Sequence, residues 1–294
     1  PTAAQMPRLV GLELASKMYR NNKELSHLTN FSNNGNEIAF GTIGDASTSE
    51  GIFWESINAA CVLEIPVVMS VWDDGYGISV PKKYQTTKES ISKALAGFEM
   101  EENSNGLKIF RCKGWNYQEL YSTYKEATEF TRVNHKPSLV HVEEITQPQG
   151  HSTSGSHERY KSKERLEWAK EFDCIQKFKE WLLSDDNGLG KPITTEDVLN
   201  QVQKDAKAEV KKISKDAWNE FIDEIDQEKK QIITQLDMLS SESNQRESLA
   251  TIINGIKKLK EPLRKDIYQP FYKALRITRS ENTNARNSVM NWFK

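Results

Sequence analysis

The sequence predicts an α/β fold, an open and mostly parallel sheet with helices on both faces, followed by an all-helical segment. Residues 67–72 are almost entirely apolar, which is typical of a strand buried on both faces of a parallel sheet. Strand-like and helix-like patterns alternate as far as residue 183, as they do in α/β domains. Fourteen of the 15 glycines lie in residues 1–200, and beyond them apolar residues recur at helical spacing.

Periodicity and capping signals define the elements of the first part. Ser47 with Glu50 forms a capping-box pattern at the start of one helix, and Asn116 with Glu119 caps another. Residues 30–37 are rich in Asn, Ser and Gly and predict a loop. The predicted elements are, in chain order, helix 1–22, strand 38–43, helix 50–63, strand 67–72, strand 107–112, helix 116–133, strand 138–142 and helix 162–183.

A turn-rich segment at 185–192 separates two parts of different composition. We therefore predict a sheet domain over residues 1–190 and a helical connector or interaction segment over residues 191–294. The second part should contain two or three long helices, with a stop or kink near Pro262 and Pro270, because proline interrupts helical hydrogen bonding.

Composition excludes several classes of protein. The formal net charge is −2, so no global field favours nucleic acid or an anionic membrane, and no apolar run is long enough to span a bilayer. The three cysteines are far apart in the sequence, which suits a reducing compartment. We expect a cytoplasmic protein that binds neither nucleic acid nor membrane.

Acidic residues follow the first two predicted strands. Asp45 comes directly after one strand, and Asp73 with Asp74 follows the next, with one predicted helix between them. Taken singly, Asp45 is better explained as a helix-start residue and the acidic pair as a turn. Together they favour a ligand site, because ligands bind at the carboxyl edge of open α/β sheets. Carboxylates beside a helix start suit Mg²⁺ holding a diphosphate.

These residues resemble a known family. Gly-Asp-Ala at 44–46 with Asp-Asp at 73–74 is similar to the thiamine-diphosphate fingerprint, which begins Gly-Asp-Gly and ends Asn-Asn. Longer motifs resemble the alpha subunit of thiamine-diphosphate-dependent 2-oxo acid dehydrogenases, of the branched-chain or the pyruvate type. Those motifs are residues 44–51, residues 75–81, and residues 150–154 with Tyr160. The resemblance covers about residues 1–183 and implies the thiamine-diphosphate-binding fold, with an N-terminal part of the family missing.

The resemblance implies a Mg²⁺ site. Asp45 and Asp74 match the two metal-ligating side chains, and Tyr76 matches the residue whose backbone carbonyl completes the protein ligands. Aspartate stands at 73 and 74 where the family has asparagine. The additional negative charge must be offset by protonation, by the metal or by basic groups nearby. We expect Asp74 to remain a metal ligand.

The resemblance also implies contacts with the organic cofactor. Ala46 and Ser47 match positions that face the diphosphate, and His151 matches the catalytic loop histidine that approaches the cofactor phosphates and the incoming lipoyl group. Ser152 matches a serine that is phosphorylated in mammalian members. The full set expected to bind thiamine diphosphate is Gly44, Asp45, Ala46, Ser47, Asp74, Tyr76, Gly77, Ile78 and His151.

The function implied by the resemblance is oxidative decarboxylation of a 2-oxo acid, with branched-chain acids preferred over pyruvate. The acyl group would pass to a lipoyl-bearing acyltransferase of a multienzyme complex. The family's activating glutamate comes from a beta-type subunit, so we expect that subunit or a fused beta domain as partner, in a dimer of alpha/beta units. The alternative is a non-catalytic assembly module that has lost cofactor binding, which the Asn-to-Asp changes would also fit.

Overall fold

The structure is a computed structural model that describes residues 2–151 and 157–293. It divides into two compact units, residues 1–196 and residues 197–294. The elements of the first unit are, in chain order, α1 (Met6–Asn21), β1 (Ala39–Gly44), α2 (Gly51–Leu63), β2 (Val67–Trp72), β3 (Tyr76–Gly77), β4 (Val80–Pro81), α3 (Ile91–Ala94), β5 (Lys108–Lys113), α4 (Tyr117–Asn134), β6 (Ser138–Glu143), α5 (Lys163–Glu171) and α6 (Cys174–Leu183).

The main sheet of the described residues is parallel throughout, with strand order β1-β2-β6-β5. In β2 the side chains alternate between two cores. Val67, Met69 and Val71 pack in the core formed with α1 and α2, whereas Val68 packs in the core on the α4 side. Burial of each such side chain contributes about 1.5–3 kcal/mol. The predicted α/β class, with helices on both faces of a parallel sheet, is confirmed.

The helix α2 lies where the capping-box pattern predicts it, but the cap itself is different. No side chain caps α2, which begins after the single 3₁₀ turn Ala46–Ser49. The Glu50 carboxylate instead accepts hydrogen bonds from the backbone N–H groups of Thr2 (2.8 Å) and Ala3 (3.3 Å). A tertiary contact with the chain start therefore replaces the expected local bond.

The predicted helix over residues 162–183 is wrong as a single element. It is two helices, α5 and α6, separated at Phe172 and Asp173. The Asp173 carboxylate accepts a hydrogen bond from the Gln176 backbone N–H at 2.8 Å and so starts a new helix. By contrast, the predicted Asn116 cap of α4 is confirmed, since its side chain accepts from the Glu119 backbone N–H at 3.1 Å.

The second unit is helical. Its described helices are α7 (Glu196–Glu242), α8 (Arg246–Lys257), α9 (Arg264–Ile277) and α10 (Asn284–Phe293), whereas the sequence predicts two or three. Pro262 lies in the connection before α9, as expected, whereas Pro270 lies inside α9 and does not end it. The core of this unit forms around Ile232, Leu236 and Phe271. In the described part of the chain, no helix is long and apolar enough to cross a membrane.

Candidate metal and diphosphate site

The two acidic segments meet at the carboxyl edge of the sheet because strand pairing continues into them. Gly44 is in register with Trp72, and Trp72 with Val142. The backbone N–H of Asp45 donates to the carbonyl of Trp72 (3.0 Å), and that of Asp73 donates to the carbonyl of Val142 (2.9 Å). The acids that follow neighbouring strands are thus held side by side, as the sequence predicts.

One cleft of about 490 Å³ opens at this edge, and every residue expected to bind the cofactor lines it. These residues are Gly44, Asp45, Ala46, Ser47, Asp74, Tyr76, Gly77, Ile78 and His151. Sequence reasoning misses other side chains in the wall, among them Gln5, Trp72 and Gln147. The structure brings the nine residues together; their contacts with a cofactor remain predictions.

Asp45 is the most strongly perturbed acid of the cleft. Only 5% of its surface is exposed, and its Oδ2 has no hydrogen-bond partner among the described residues. Burial, reinforced by the charges of Asp73 and Asp74, raises the pKa of Asp45 to about 7. A buried carboxylate oxygen without a partner is costly, and a bound cation would remove that cost. The side of the cleft formed by Asp45 therefore fits a hard divalent cation.

Asp74 supplies the second carboxylate of the cleft. Its Oδ1 accepts a hydrogen bond from the Tyr76 backbone N–H at 3.1 Å, and its own carbonyl accepts one from Arg165 Nη2 at 3.1 Å. Burial raises the pKa of Asp74, although the hydrogen bond from the Tyr76 N–H and the positive charge of Lys161 both act to lower it. Lys161 is itself buried, with its ammonium 5.0 Å from the centre of the Tyr76 ring. These contacts fix the direction of the Asp74 turn.

The donor set suits Mg²⁺ rather than a softer metal. Within the described residues, no three His, Cys, Asp or Glu side chains form a metal-binding group. Two carboxylates, Asp45 and Asp74, and a backbone carbonyl such as that of Tyr76 would leave positions for phosphate oxygens and water. Mg²⁺ commonly binds in this way, through one or two carboxylates and substrate phosphates.

Asp73 has a different environment from its neighbours. Its Oδ1 accepts from the Gly75 backbone N–H (2.8 Å), and its Oδ2 accepts from Lys82 Nζ (2.7 Å) and His141 Nε2 (3.1 Å). Burial works to raise the pKa of Asp73, but the hydrogen bonds from His141 and Lys82 outweigh it and hold the pKa below its ordinary value. Asp73 is thus an ionised, fully bonded residue and not a free metal ligand.

Sequence reasoning misses Lys82 and His141. A lone histidine inside an apolar strand is indistinguishable by pattern from a core residue. His141 faces the same side of β6 as Leu139, and only the sheet order reveals that this side lies beneath Asp73. The one signal is indirect, because an additional carboxylate at 73 requires a basic partner.

The hairpin of β3 and β4 brings Gly77 and Ile78 to the cleft. A Cβ atom on Gly77 would lie 2.8 Å from the Cβ of Ala46 and 2.4 Å from Gln85 Nε2, so only glycine permits this approach. Ile78 has φ of 59°, a left-handed conformation that is strained for a β-branched residue, and 62% of it is exposed. The hairpin holds Ile78 at the mouth of the cleft despite that strain.

His151 lies on the wall of the same cleft. It also lines a smaller cavity of about 310 Å³ together with Ile78, His157 and Tyr160. This position is compatible with the role expected for the loop histidine. Ser152, the expected phosphorylation site, lies outside the described residues.

Comparison with known proteins agrees with the motif assignment. The family model described as Dehydrogenase E1 component matches residues 1–225. The match continues into α7, further than the motifs alone indicate.

Similar proteins include the 2-oxoisovalerate dehydrogenase subunit alpha of Bacillus subtilis (strain 168), 30% identical over 62% of this chain and 48% of that protein. The mitochondrial 2-oxoisovalerate dehydrogenase subunit alpha 2 of Arabidopsis thaliana is 29% identical over 69% of this chain and 38% of that protein. The pyruvate dehydrogenase E1 component subunit alpha of Rickettsia bellii (strain RML369-C) is 28% identical over 61% of this chain and 48% of that protein. The chain thus spans about half the length of these relatives or less. It belongs to the dehydrogenase E1 component family.

Proposed function

We propose that this chain provides the diphosphate-binding half of a thiamine-diphosphate-dependent 2-oxo acid dehydrogenase that uses Mg²⁺. One observation carries the proposal. The buried Oδ2 of Asp45 has no hydrogen-bond partner in the described part of the chain, and it lies in the same cleft as Asp74, at the carboxyl edge of two parallel strands. The family membership supports the same cofactor, and the donor set supports the metal.

The chain's own residues would divide the work of holding the cofactor. Asp45 and Asp74 would bind Mg²⁺ with the Tyr76 carbonyl, and Ala46 and Ser47 would contact the diphosphate. Thiamine diphosphate, when bound, supplies the electron sink for decarboxylation of a 2-oxo acid. Lys161 and Arg165, both beside Asp74, would keep its turn in place.

The remaining parts of the reaction would need His151 and groups from outside this chain. His151, at the cleft wall, would meet the incoming lipoyl group of an acyltransferase and would act as the catalytic histidine of this chain. A beta-type subunit or fused beta domain would complete the site, and the assembly would be a dimer of alpha/beta units. Residues 191–294 would connect the sheet domain of this chain to a fused beta-type domain.

We propose a branched-chain 2-oxo acid as the substrate in preference to pyruvate. The support is the Gly-His-Ser-Thr-Ser motif at 150–154 and the two relatives named for 2-oxoisovalerate. A cytoplasmic location is proposed because the described chain has three free thiols, of which Cys61 and Cys112 are buried.

The decisive measurement is a thermal-shift titration of the full-length natural protein with thiamine diphosphate and Mg²⁺. Saturable stabilisation, growing with the logarithm of ligand concentration, is expected for the enzyme. No shift at high ligand concentration would overturn the proposal and favour the non-catalytic assembly module. Decarboxylation assays with 2-oxoisovalerate and pyruvate, in the presence of the beta partner, would then test the substrate preference.

A further inference from the structure

Asp73 brings a third carboxylate to the cleft edge, and residues from two other parts of the fold, Lys82 and His141, contact it. Lys82 lies just after β4, and His141 lies in the middle of β6. Asp73 is 2% exposed and His141 is fully buried, so the hydrogen bond between them is shielded from water. The Lys82 side chain is 31% exposed, so the Lys82–Asp73 ion pair is buried only at its carboxylate end. Unlike Asp45, Asp73 has a partner for each of its carboxylate oxygens.

Lys82 holds the acidic turn at two points. Its backbone N–H donates to the carbonyl of Gly75 (3.0 Å), while its Nζ donates to Oδ2 of Asp73 (2.7 Å). Gly75 has φ of +85°, and its N–H donates to Oδ1 of Asp73. Asp74 lies between these anchored residues, so the direction of its side chain depends on them.

His141 supports the same carboxylate from below. A carboxylate only accepts hydrogen bonds, so the proton shared with Asp73 is carried on Nε2 of His141 (3.1 Å). Nδ1 lies 2.8 Å from the hydroxyl of Ser92, which in turn lies 3.2 Å from the hydroxyl of Ser90. All of these groups are buried. The chain of bonds fixes the orientation of the imidazole ring and hence the position of Asp73.

We propose that Lys82 and His141 are positioning residues that act through Asp73, Lys82 by balancing its charge and His141 by donating a hydrogen bond, so that Asp74 alone of the pair is presented to the metal. This inference rests on the proposed function. Its consequence is a division of three neighbouring acids. Asp45 and Asp74 serve the cation, whereas Asp73 serves the turn and adds no uncompensated charge towards the diphosphate.

Removing Lys82 should therefore impair the site chiefly through Asp73, beyond the small loss of its charge near Asp45. In Lys82→Met, Asp73 keeps a buried negative charge beside Asp45 and Asp74, or turns towards the metal, and both changes disfavour the cofactor diphosphate. A neutral side chain of the same shape at 73 removes the need for Lys82. The double variant Asp73→Asn/Lys82→Met should consequently bind better than Lys82→Met alone.

The test is a double-variant cycle on the full-length protein, with the affinity for Mg²⁺–thiamine diphosphate measured by calorimetry. Lys82→Met is expected to weaken binding about tenfold or more, and the double variant to return within about threefold of the wild type. Lys82→Arg, which keeps the charge, should bind nearly as the wild type does. Lys83→Met is the matched control, since its ammonium lies 4.9 Å from the Tyr84 ring centre and not on Asp73.

Thermal midpoints of the ligand-free variants separate positioning from general stability. A purely structural role for Lys82 would lower the midpoint of Lys82→Met and leave its cofactor affinity unchanged, which would overturn the inference. An equal loss of affinity on Lys82→Met in the wild type and in the Asp73→Asn variant would also overturn it. If the wild type itself fails to bind the cofactor, the proposed function fails, and the inference fails with it. If the wild type binds the cofactor but the Lys82 and Asp73 substitutions show no coupling in affinity, the inference is rejected while the proposed function stands.

Discussion

The backbone of Asp45 is hydrogen-bonded to that of Trp72, from the N–H of Asp45 to the carbonyl of Trp72 at 3.0 Å. This bond fixes the main chain at the strand end while the Asp45 side chain lies buried with one oxygen unpartnered among the described residues. The pairing of the sheet thus holds the Asp45 carboxylate in place, although burying that carboxylate without a partner for one oxygen destabilises the fold. Such local conflict marks a site built for a ligand rather than for stability.

Asp45→Asn should separate the cost of the buried Asp45 carboxylate to protein stability from its contribution to ligand binding. The amide removes a buried acid whose pKa is raised to about 7, so the ligand-free variant should be as stable as the wild type at pH 8, or more so. Stabilisation by Mg²⁺ and thiamine diphosphate should largely disappear, because the metal loses an anionic ligand. Thermal midpoints with and without ligand measure both effects. Asp185→Asn, at an exposed turn, is the control, and undiminished stabilisation in Asp45→Asn would contradict the assignment.

Asp74 should tolerate an amide better than a methyl group. Asp74→Asn keeps an oxygen for the metal and for the Tyr76 backbone N–H, so it should retain cofactor binding. Asp74→Ala loses the ligand and the turn bond together and should lose most of the binding. Calorimetry with thiamine diphosphate and Mg²⁺ distinguishes the two variants. Equal affinities for the wild type and both variants would exclude Asp74 from the metal site.

Gly77→Ala should damage the cleft by steric contact. The new Cβ would lie 2.8 Å from the Cβ of Ala46, which lies on a short turn and cannot retreat easily. The expected result is a free energy of unfolding reduced by about 1–3 kcal/mol and weaker cofactor binding. Gly97→Ala is the control, because a Cβ there meets nothing within 4 Å. A Gly77→Ala protein with wild-type stability and affinity would show that the hairpin does not need this close approach.

The sequence suffices for the four strands of the main sheet and for the acids that follow the first two of them, because both are encoded locally, whereas the short strands β3 and β4 are not predicted. The prediction of a strand over residues 67–72 is correct to the residue, and Asp45 and Asp74 follow from their place after strand ends. His141 and Lys82 cannot be found in this way. His141 meets Asp73 across 68 positions of sequence, through a strand order that periodicity does not reveal. Long-range strand pairing, not the local sequence pattern, decides which acid has its charge balanced by a basic residue and which acid is left to bind a ligand.

The same limit applies to caps. A capping box at Ser47 and Glu50 is a sound local prediction, yet Glu50 bonds to the backbone of Thr2 and Ala3 instead. The break within residues 162–183 carries a local signal in Asp173, which is hidden because the apolar spacing continues across it. Where local and tertiary partners compete for one side chain, sequence alone does not decide between them.

A buried acid away from the cleft should give the protein a distinct pH dependence. Glu13 in α1 is 2% exposed, and its Oε2 has no hydrogen-bond partner among the described residues. Burial, together with the negative charge of Glu37, raises the pKa of Glu13 from 4.5 to about 8. A hydrogen bond from the Ala39 backbone N–H acts in the opposite direction. Between these two values the folded state binds more protons than the unfolded state, so stability falls as the pH rises.

Glu13→Gln should remove this slope. The amide keeps an oxygen for the Ala39 N–H and carries no charge, so the variant should gain stability over the wild type as the pH rises from 5 to 8. The gain has an upper bound of about 1.4 kcal/mol for each unit of pKa displacement. Chemical denaturation across this pH range measures the difference, with the exposed Glu24→Gln as control. If Glu13→Gln and the wild type follow parallel stability curves from pH 5 to 8, Glu13 titrates normally and its burial is already compensated.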